Sequence, residues 1–234
     1  HAIMNMGGGF MIEHIFIKNY KAFDRENIPL DKNTLLIGSN NSGKTTVLEA
    51  LDLFFNGVMR ESYIIDNKED VVIEVLINEE RYRKVFKSPE YTIDYQNCIG
   101  DIFDINYIKY LYVPRQINNA KLLNDILSVN LSYKIPSDEQ ANVFKVSDYI
   151  DGKLGNSNYK LFSINKRYEM NIDQEIHFTK AEYTRIISNV TYQYLIIGID
   201  SVEDHFDIDS LNKITKYSYQ TIFTTNDTNI VKNY

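Results

Sequence analysis

The chain has 234 residues, of which 44% are hydrophobic and 24% charged, with a formal net charge of -7. That hydrophobic share excludes an intrinsically disordered chain, and at roughly 100–200 residues per domain the length allows one sizeable domain with its own core. The acidic balance argues against a surface coated in basic residues for nucleic acid. No run reaches the roughly 18 apolar residues of a membrane-spanning helix, and the lone Cys98 cannot build a disulfide framework, so a cytoplasmic protein is expected.

Residues 1–10, with their Gly7-Gly8-Gly9 triplet, differ in character from the remainder of the chain and read as a cloning scar, with Met11 as the native start. A single domain is expected over 11–234. Residues 12–18 carry β-branched and aromatic side chains in loose alternation, as a strand would, and 19–23 read as a turn before extended chain resumes from Arg25 to Leu30. Thr34-Leu35-Leu36-Ile37 is a continuous apolar run of the kind buried on both faces of a parallel sheet. From Thr45 to Phe55 the apolar residues Val47, Leu48, Leu51 and Phe55 follow helical spacing. Residues 71–77, 81–86 and 91–95 predict short antiparallel strands, a β-rich insert at about 70–100.

Tyr107 to Val113 predicts a strand stopped by Pro114, and 117–129 a helix. An irregular insert is expected at about 130–160, where Pro136, Gly152, Gly155 and many Asn and Ser residues break any period. Strands are predicted near 159–164 and 172–178, then a helix from about 180 to 191, a buried strand from Tyr194 to Ile199, a short helix over 206–216 and a last strand from Gln220 to Thr225. The sum is a mixed α/β layered fold.

Gly38-Ser39-Asn40-Asn41-Ser42-Gly43-Lys44-Thr45 fits G-x-x-x-x-G-K-[ST] at every constrained position, between a predicted strand and a predicted helix. The glycines allow successive N–H groups to point into one concavity, and the helix N-terminus adds positive potential there. Lys44 then reaches the β- and γ-phosphates of a nucleotide and the Thr45 hydroxyl ligates Mg2+. A chance glycine-rich turn with a solvated lysine is the plain alternative.

Ile15-Phe16-Ile17-Lys18-Asn19-Tyr20-Lys21-Ala22-Phe23, together with Leu35 to Gly38 and Thr46-Val47-Leu48-Glu49-Ala50-Leu51, resembles the opening of the ATPase head in the SMC and OLD (overcoming lysogenization defect) group of ABC-type ATPases. The resemblance implies a P-loop NTPase of ABC/SMC type, with a mixed sheet, an antiparallel β insert and, at this length, no long coiled coil. It implies ATP and Mg2+ as ligands, with Lys21 reaching toward the phosphates; a solvated turn lysine is the alternative. The strand ending at Asp200 is similar to the Walker B strand, which makes Asp200 a Mg2+-supporting carboxylate, or else an ordinary helix-start carboxylate. Glu203 matches a later acidic position of that segment and is the candidate catalytic carboxylate, since the usual glutamate position holds Ser201.

Gln116 is the candidate for the loop glutamine that senses Mg2+ and γ-phosphate. Thr179, opening Thr179-Lys180-Ala181-Glu182, stands where the group has its signature, although T-x-x-E is equally a capping box. Three positions depart from the group's pattern: Ser201, Ala181 in place of a glycine, and Asn226 in place of a histidine. Serine is a poor base, so slow or absent ATP hydrolysis is expected. The group's members bind ATP between two heads, which implies a homodimer or higher homo-oligomer. Its small ATP-binding members of bacterial antiviral defence imply an effector protein such as a nuclease; a DNA-end-sensing, recombination-type ATPase with active hydrolysis is the alternative. Arg81, Arg83 and Lys84 with Tyr82 suit nucleic acid or, more simply, a solvated strand face. The acidic run Asp200, Glu203, Asp204, Asp207 and Asp209 suits a two-metal nuclease less well than a nucleotide site, and the four histidines are scattered.

Overall fold

The computed structural model describes residues 11–57, 64–66, 68–100, 108–116, 159–164, 167–172, 187 and 195–233. The expected helix at 117–129, most of the irregular insert and the Thr179 segment lie outside the described residues, and of the expected helix at 180–191 only Ile187 is described, helical and buried. No helix among the described residues is long and apolar enough to cross a membrane.

Two sheets enclose one helix. The first is antiparallel in the order β2-β1-β4-β5-β6, built from β1 (Ile12–Tyr20), β2 (Phe23–Pro29), β4 (Val71–Ile77), β5 (Glu80–Lys87) and β6 (Thr92–Ile93). The strands expected as an insert at 70–100 are thus continuous with the N-terminal hairpin, since β4 pairs along β1 with Ile15 opposite Val75. β6 stops at Ile93 because Asp94 turns the chain, accepting from the backbone N–H groups of Gln96 and Asn97. The second sheet is wholly parallel in the order β3-β11-β10-β7, from β3 (Asn33–Ile37), β7 (Lys109–Val113), β10 (Leu195–Ile199) and β11 (Gln220–Thr225). β8 (Tyr159–Ile164) and β9 (Arg167–Ile172) pair as a separate two-stranded antiparallel sheet, and of the strand expected at 172–178 all but residue 172 lies outside the described residues.

Helix α1 (Lys44–Phe55) lies between the sheets. Ile15 and Ile17 of β1 and the strictly alternating Val71, Ile73, Val75 and Ile77 of β4 cover it from one side. Tyr110, Ile196 and Ile222 of the parallel sheet cover it from the other. At about 1.5–3 kcal/mol for each fully buried large apolar side chain, Leu48, Leu51 and Phe54 anchor the helix, and with it the loop that precedes it. Tyr110 donates its hydroxyl to the Leu48 carbonyl at 3.0 Å, and a Cβ at Gly198 would stand 2.0 Å from that hydroxyl oxygen, so β10 needs glycine there. Beyond β10 come three helices: α2 (Val202–His205), which the sequence did not announce, α3 (Ile208–Tyr217), capped by the Asp207 carboxylate, and α4 (Thr228–Asn233), also unannounced.

Gln220 joins the two sheets. It is fully buried at the start of β11; its Oε1 accepts from the Ile12 N–H at 2.9 Å, and its Nε2 donates to the carbonyls of Ile12 at 2.8 Å and Asp31 at 3.0 Å. A buried backbone group stripped of its partner costs about 1–3 kcal/mol. Gln220→Ala is therefore expected to lower stability by about 2–4 kcal/mol, read as a fall in urea midpoint at unchanged m-value.

Candidate functional site

All four parallel strands deliver functional residues at their C-terminal ends, the edge where open parallel sheets bind ligands. β3 runs into the glycine-rich loop, β11 into Thr225-Asn226, β10 into Asp200-Ser201 and β7 into Pro114-Arg115. Together they wall a cleft of about 630 Å³ lined by Lys21, residues 40–46, Glu49, Arg115, Asp200, Ser201 and Asn226, with Ala22 at its edge.

The loop is shaped by its glycines. Gly43 sits at φ 89, and a Cβ there would lie 2.3 Å from the Phe23 ring. Only glycine satisfies both demands. At Gly38 a Cβ would meet the Ser42 hydroxyl at 2.7 Å. Asn41 is also left-handed at φ 65, while Ser39, Asn40 and Ser42 are exposed. The α1 N-cap Gly43 offers no side-chain cap, so the first N–H groups of the helix face the cleft mouth as anion donors. Lys44 folds over the loop, its Nζ donating to the carbonyls of Gly38 and Ser39, each at 2.8 Å. Thr46, buried, completes the first turn.

Thr45 donates its hydroxyl to Asp200, 2.9 Å from Oδ2. Thr224 donates to Asp200 Oδ1 at 2.5 Å and accepts from the Ser201 N–H at 2.8 Å. The Asp200 carboxylate is 4% exposed, and a buried charge needs compensation. A hard carboxylate beside a hydroxyl is the donor set that suits Mg2+, which takes one or two carboxylates and leaves its other positions to phosphate oxygens and water. Among the described residues no group of three or more His, Cys, Asp or Glu offers an all-protein cage instead.

Lys21 lines the cleft from the two-residue turn between β1 and β2, where it takes φ 52, and its ammonium is ion-paired with Glu49 of α1. Glu49 was missed from sequence, although it follows Thr45 by four positions and so shares its helical face. Burial, then the Glu49 and Asp200 carboxylates, pushes the Tyr112 phenol far above its ordinary value, so it stays neutral beside the site. Gln116 is exposed and outside the lining, and its neighbour Arg115 takes the wall position instead.

Glu203 also lies outside the lining. Its Oε2 accepts from the Thr225 hydroxyl at 2.8 Å and its Oε1 from the Asn226 N–H at 3.2 Å, while the Asn226 amide donates to Asn40 Oδ1 at 3.0 Å. Ser201 sits in the cleft at φ 53, buried. In the basic cluster of β5, Arg83 Nε donates to Glu74 Oε2 at 2.7 Å and Lys84, its pKa lowered by burial, donates to the Phe54 carbonyl, while Arg81 is exposed at the edge of the same pair.

A glycine-rich loop of P-loop pattern, a buried strand-end carboxylate and a helix enclosed by a parallel and an antiparallel sheet define a P-loop NTPase fold of the ABC/SMC type. Residues 11–233 match the AAA ATPase domain family, and the chain belongs to it. No curated protein sequence matches the chain. Among solved structures it is similar to the recombination mediator protein RecF of the RecFOR pathway, as RecF-ATP, at 15% identity and a TM-score of 0.54 over 94% of each chain. The likeness to RecF-ATPrS is 14% identity and a TM-score of 0.53, over 97% of this chain and 95% of that one. At such identity the likeness establishes the shared fold.

Among the described residues Lys44 bonds to its own loop and is not part of the core. Lys44→Ala is expected to abolish ATP binding in calorimetry while shifting stability by no more than about 0.5 kcal/mol.

Proposed function

We propose that the chain binds ATP·Mg2+ in this cleft and works as a nucleotide-dependent switch or scaffold that pairs two heads, with slow or absent hydrolysis. Thr45 and Asp200 would hold Mg2+, which when bound neutralises phosphate charge. The loop N–H groups, Lys44 and Lys21 would bind and orient the phosphates. The observation that carries the slow-hydrolysis reading is Ser201, which lines the cleft directly after Asp200 where a water-positioning carboxylate is needed. Glu203, the candidate catalytic carboxylate, lies outside the lining and is engaged with Thr225 and Asn226 at the end of β11. Asn226 itself lines the cleft at the switch position.

A partner head would complete the site, with the segment beginning at Thr179 approaching the phosphate held by the other head. The dimer would then hold an effector protein such as a nuclease in bacterial antiviral defence. A second reading, favoured by the fold likeness to a recombination mediator, is a DNA-end-sensing ATPase with active hydrolysis. Against it stands the pairing of Arg83 with Glu74 and of Lys84 with the Phe54 carbonyl. DNA binding measured at rising salt separates the two readings, because phosphate contacts give a steep salt dependence.

Light scattering is expected to show the mass doubling on addition of ATP and Mg2+; an unchanged monomer would sink the paired-head reading. Ser201→Glu, alone or with Asn226→His, is expected to raise phosphate release, since a positioned base contributes on the order of 10²–10⁴-fold. Ordinary turnover in the unmodified protein, lost on Glu203→Gln, would instead make Glu203 the working carboxylate.

A further inference from the structure

Helix α2 is four residues long, yet it meets three parts of the site. Ser201, its N-cap, lines the cleft, and Glu203 holds the end of β11. Asp204 takes the Arg115 guanidinium, with Nε donating to Oδ2 at 2.9 Å. His205 secures the backbone of the same residue, its Nε2 donating to the Arg115 carbonyl at 2.8 Å. Arg115 thus has an anchored main chain and a movable side chain. That side chain is 57% exposed and forms part of the cleft wall, which Asp204 does not.

We propose that Arg115 is a phosphate-contacting residue of the cleft, held by Asp204 until a terminal phosphate takes the carboxylate's place, and that it sets the preference for nucleoside triphosphate over diphosphate. This rests on the nucleotide reading of the cleft and deepens it. A guanidinium presents the same fork of donors to a phosphate as to a carboxylate, so the exchange requires only a change of side-chain torsions. An exposed ion pair holds weakly, whereas a multiply charged phosphate inside the cleft acts through a medium of lower dielectric constant.

The strand order supplies the selectivity. The glycine-rich loop leaves β3, while Arg115 leaves β7 at the opposite side of the sheet, with Asp200 and Ser201 between them on β10. Phosphates seated on Lys44 and Thr45 would extend toward Asp200, and on this reading the last of three would approach the β7 side. A diphosphate would end short of it and leave Arg115 on Asp204. With a triphosphate bound, α2 loses its Asp204 tie to the Arg115 side chain, while His205 keeps the backbone of Arg115 and Glu203 keeps the switch strand, so the terminal phosphate is reported to α2 through Asp204.

The test is equilibrium binding of ATP and ADP, each with Mg2+, to the full chain and to Arg115→Gln, Asp204→Asn, their double variant and Lys44→Ala. Arg115→Gln is expected to weaken ATP roughly ten- to hundredfold, the worth of charge-assisted hydrogen bonds, with ADP little changed. Asp204→Asn is expected to tighten ATP about two- to fivefold by releasing the guanidinium, and that gain should vanish in the double variant. A purely structural role for the pair would move both nucleotides together and give the two single variants the same sign. Binding that depends on Lys44 while Arg115→Gln leaves the ATP-to-ADP ratio unchanged overturns this inference alone. Absence of Lys44-dependent binding in the unmodified chain overturns the nucleotide reading itself.

Discussion

The Asp200 carboxylate is the point on which the site depends. It is almost wholly buried, and it receives the hydroxyls of Thr45 and Thr224. Those two bonds fix the first turn of α1, the end of β10 and the end of β11 at one mutual height. Thr224 also accepts from the Ser201 N–H, which helps hold Ser201 in a left-handed conformation that a non-glycine residue enters only under local compulsion. Moving Asp200 would leave a buried charge without its donors, so the three elements cannot drift independently. The geometry that suits a hard cation is therefore the same geometry that closes the fold at this edge.

The antiparallel sheet contributes at a distance. Its β1–β2 turn places Lys21 against Glu49 and brings the Phe23 ring to the spot a Cβ of Gly43 would fill. The loop is therefore held from below by α1 and from the side by Phe23. Gln220 locks the same sheet to β11 through backbone groups of Ile12 and Asp31. A residue more than two hundred positions from Ile12 thus sets how the hairpin sits over the cleft. This is long-range order of a kind that local propensity cannot encode.

That difference explains what the sequence disclosed. The loop at 38–45 was legible because its chemistry needs fixed residue types at fixed spacing, and the run from Leu195 to Asp200 was legible because a strand buried on both faces must be continuously apolar. The pairing of β4 with β1 was not, since alternation marks a buried face but not its partner strand. α2 and α4 escaped because four and six residues hold less than two turns of helical period. Arg115 escaped for another reason. An exposed arginine after a proline carries no local signal, and only the strand order beside β10 gives it a wall to stand in. The neighbouring Gln116 drew attention by residue type, whereas direction from the strand end decides which of two adjacent side chains faces a cleft.

The cations of the cleft share one property with a thermodynamic consequence. Lys21 is on Glu49, Lys44 on the carbonyls of Gly38 and Ser39, and Arg115 on Asp204. A chain of net charge -7 that also neutralises its basic residues locally does little to draw anions from afar. Recognition must then come from contact, and each contact is an exchange of one oxygen partner for another. The affinity that results is the surplus of phosphate contacts over the internal contacts given up. Whatever else engages the released carboxylates is consequently linked to the nucleotide: a protein partner that binds Asp204 or Glu49 raises phosphate affinity by the factor by which phosphate raises its own. Coupling of this kind needs no hydrolysis, only an exchange of partners at the paired cations of the cleft.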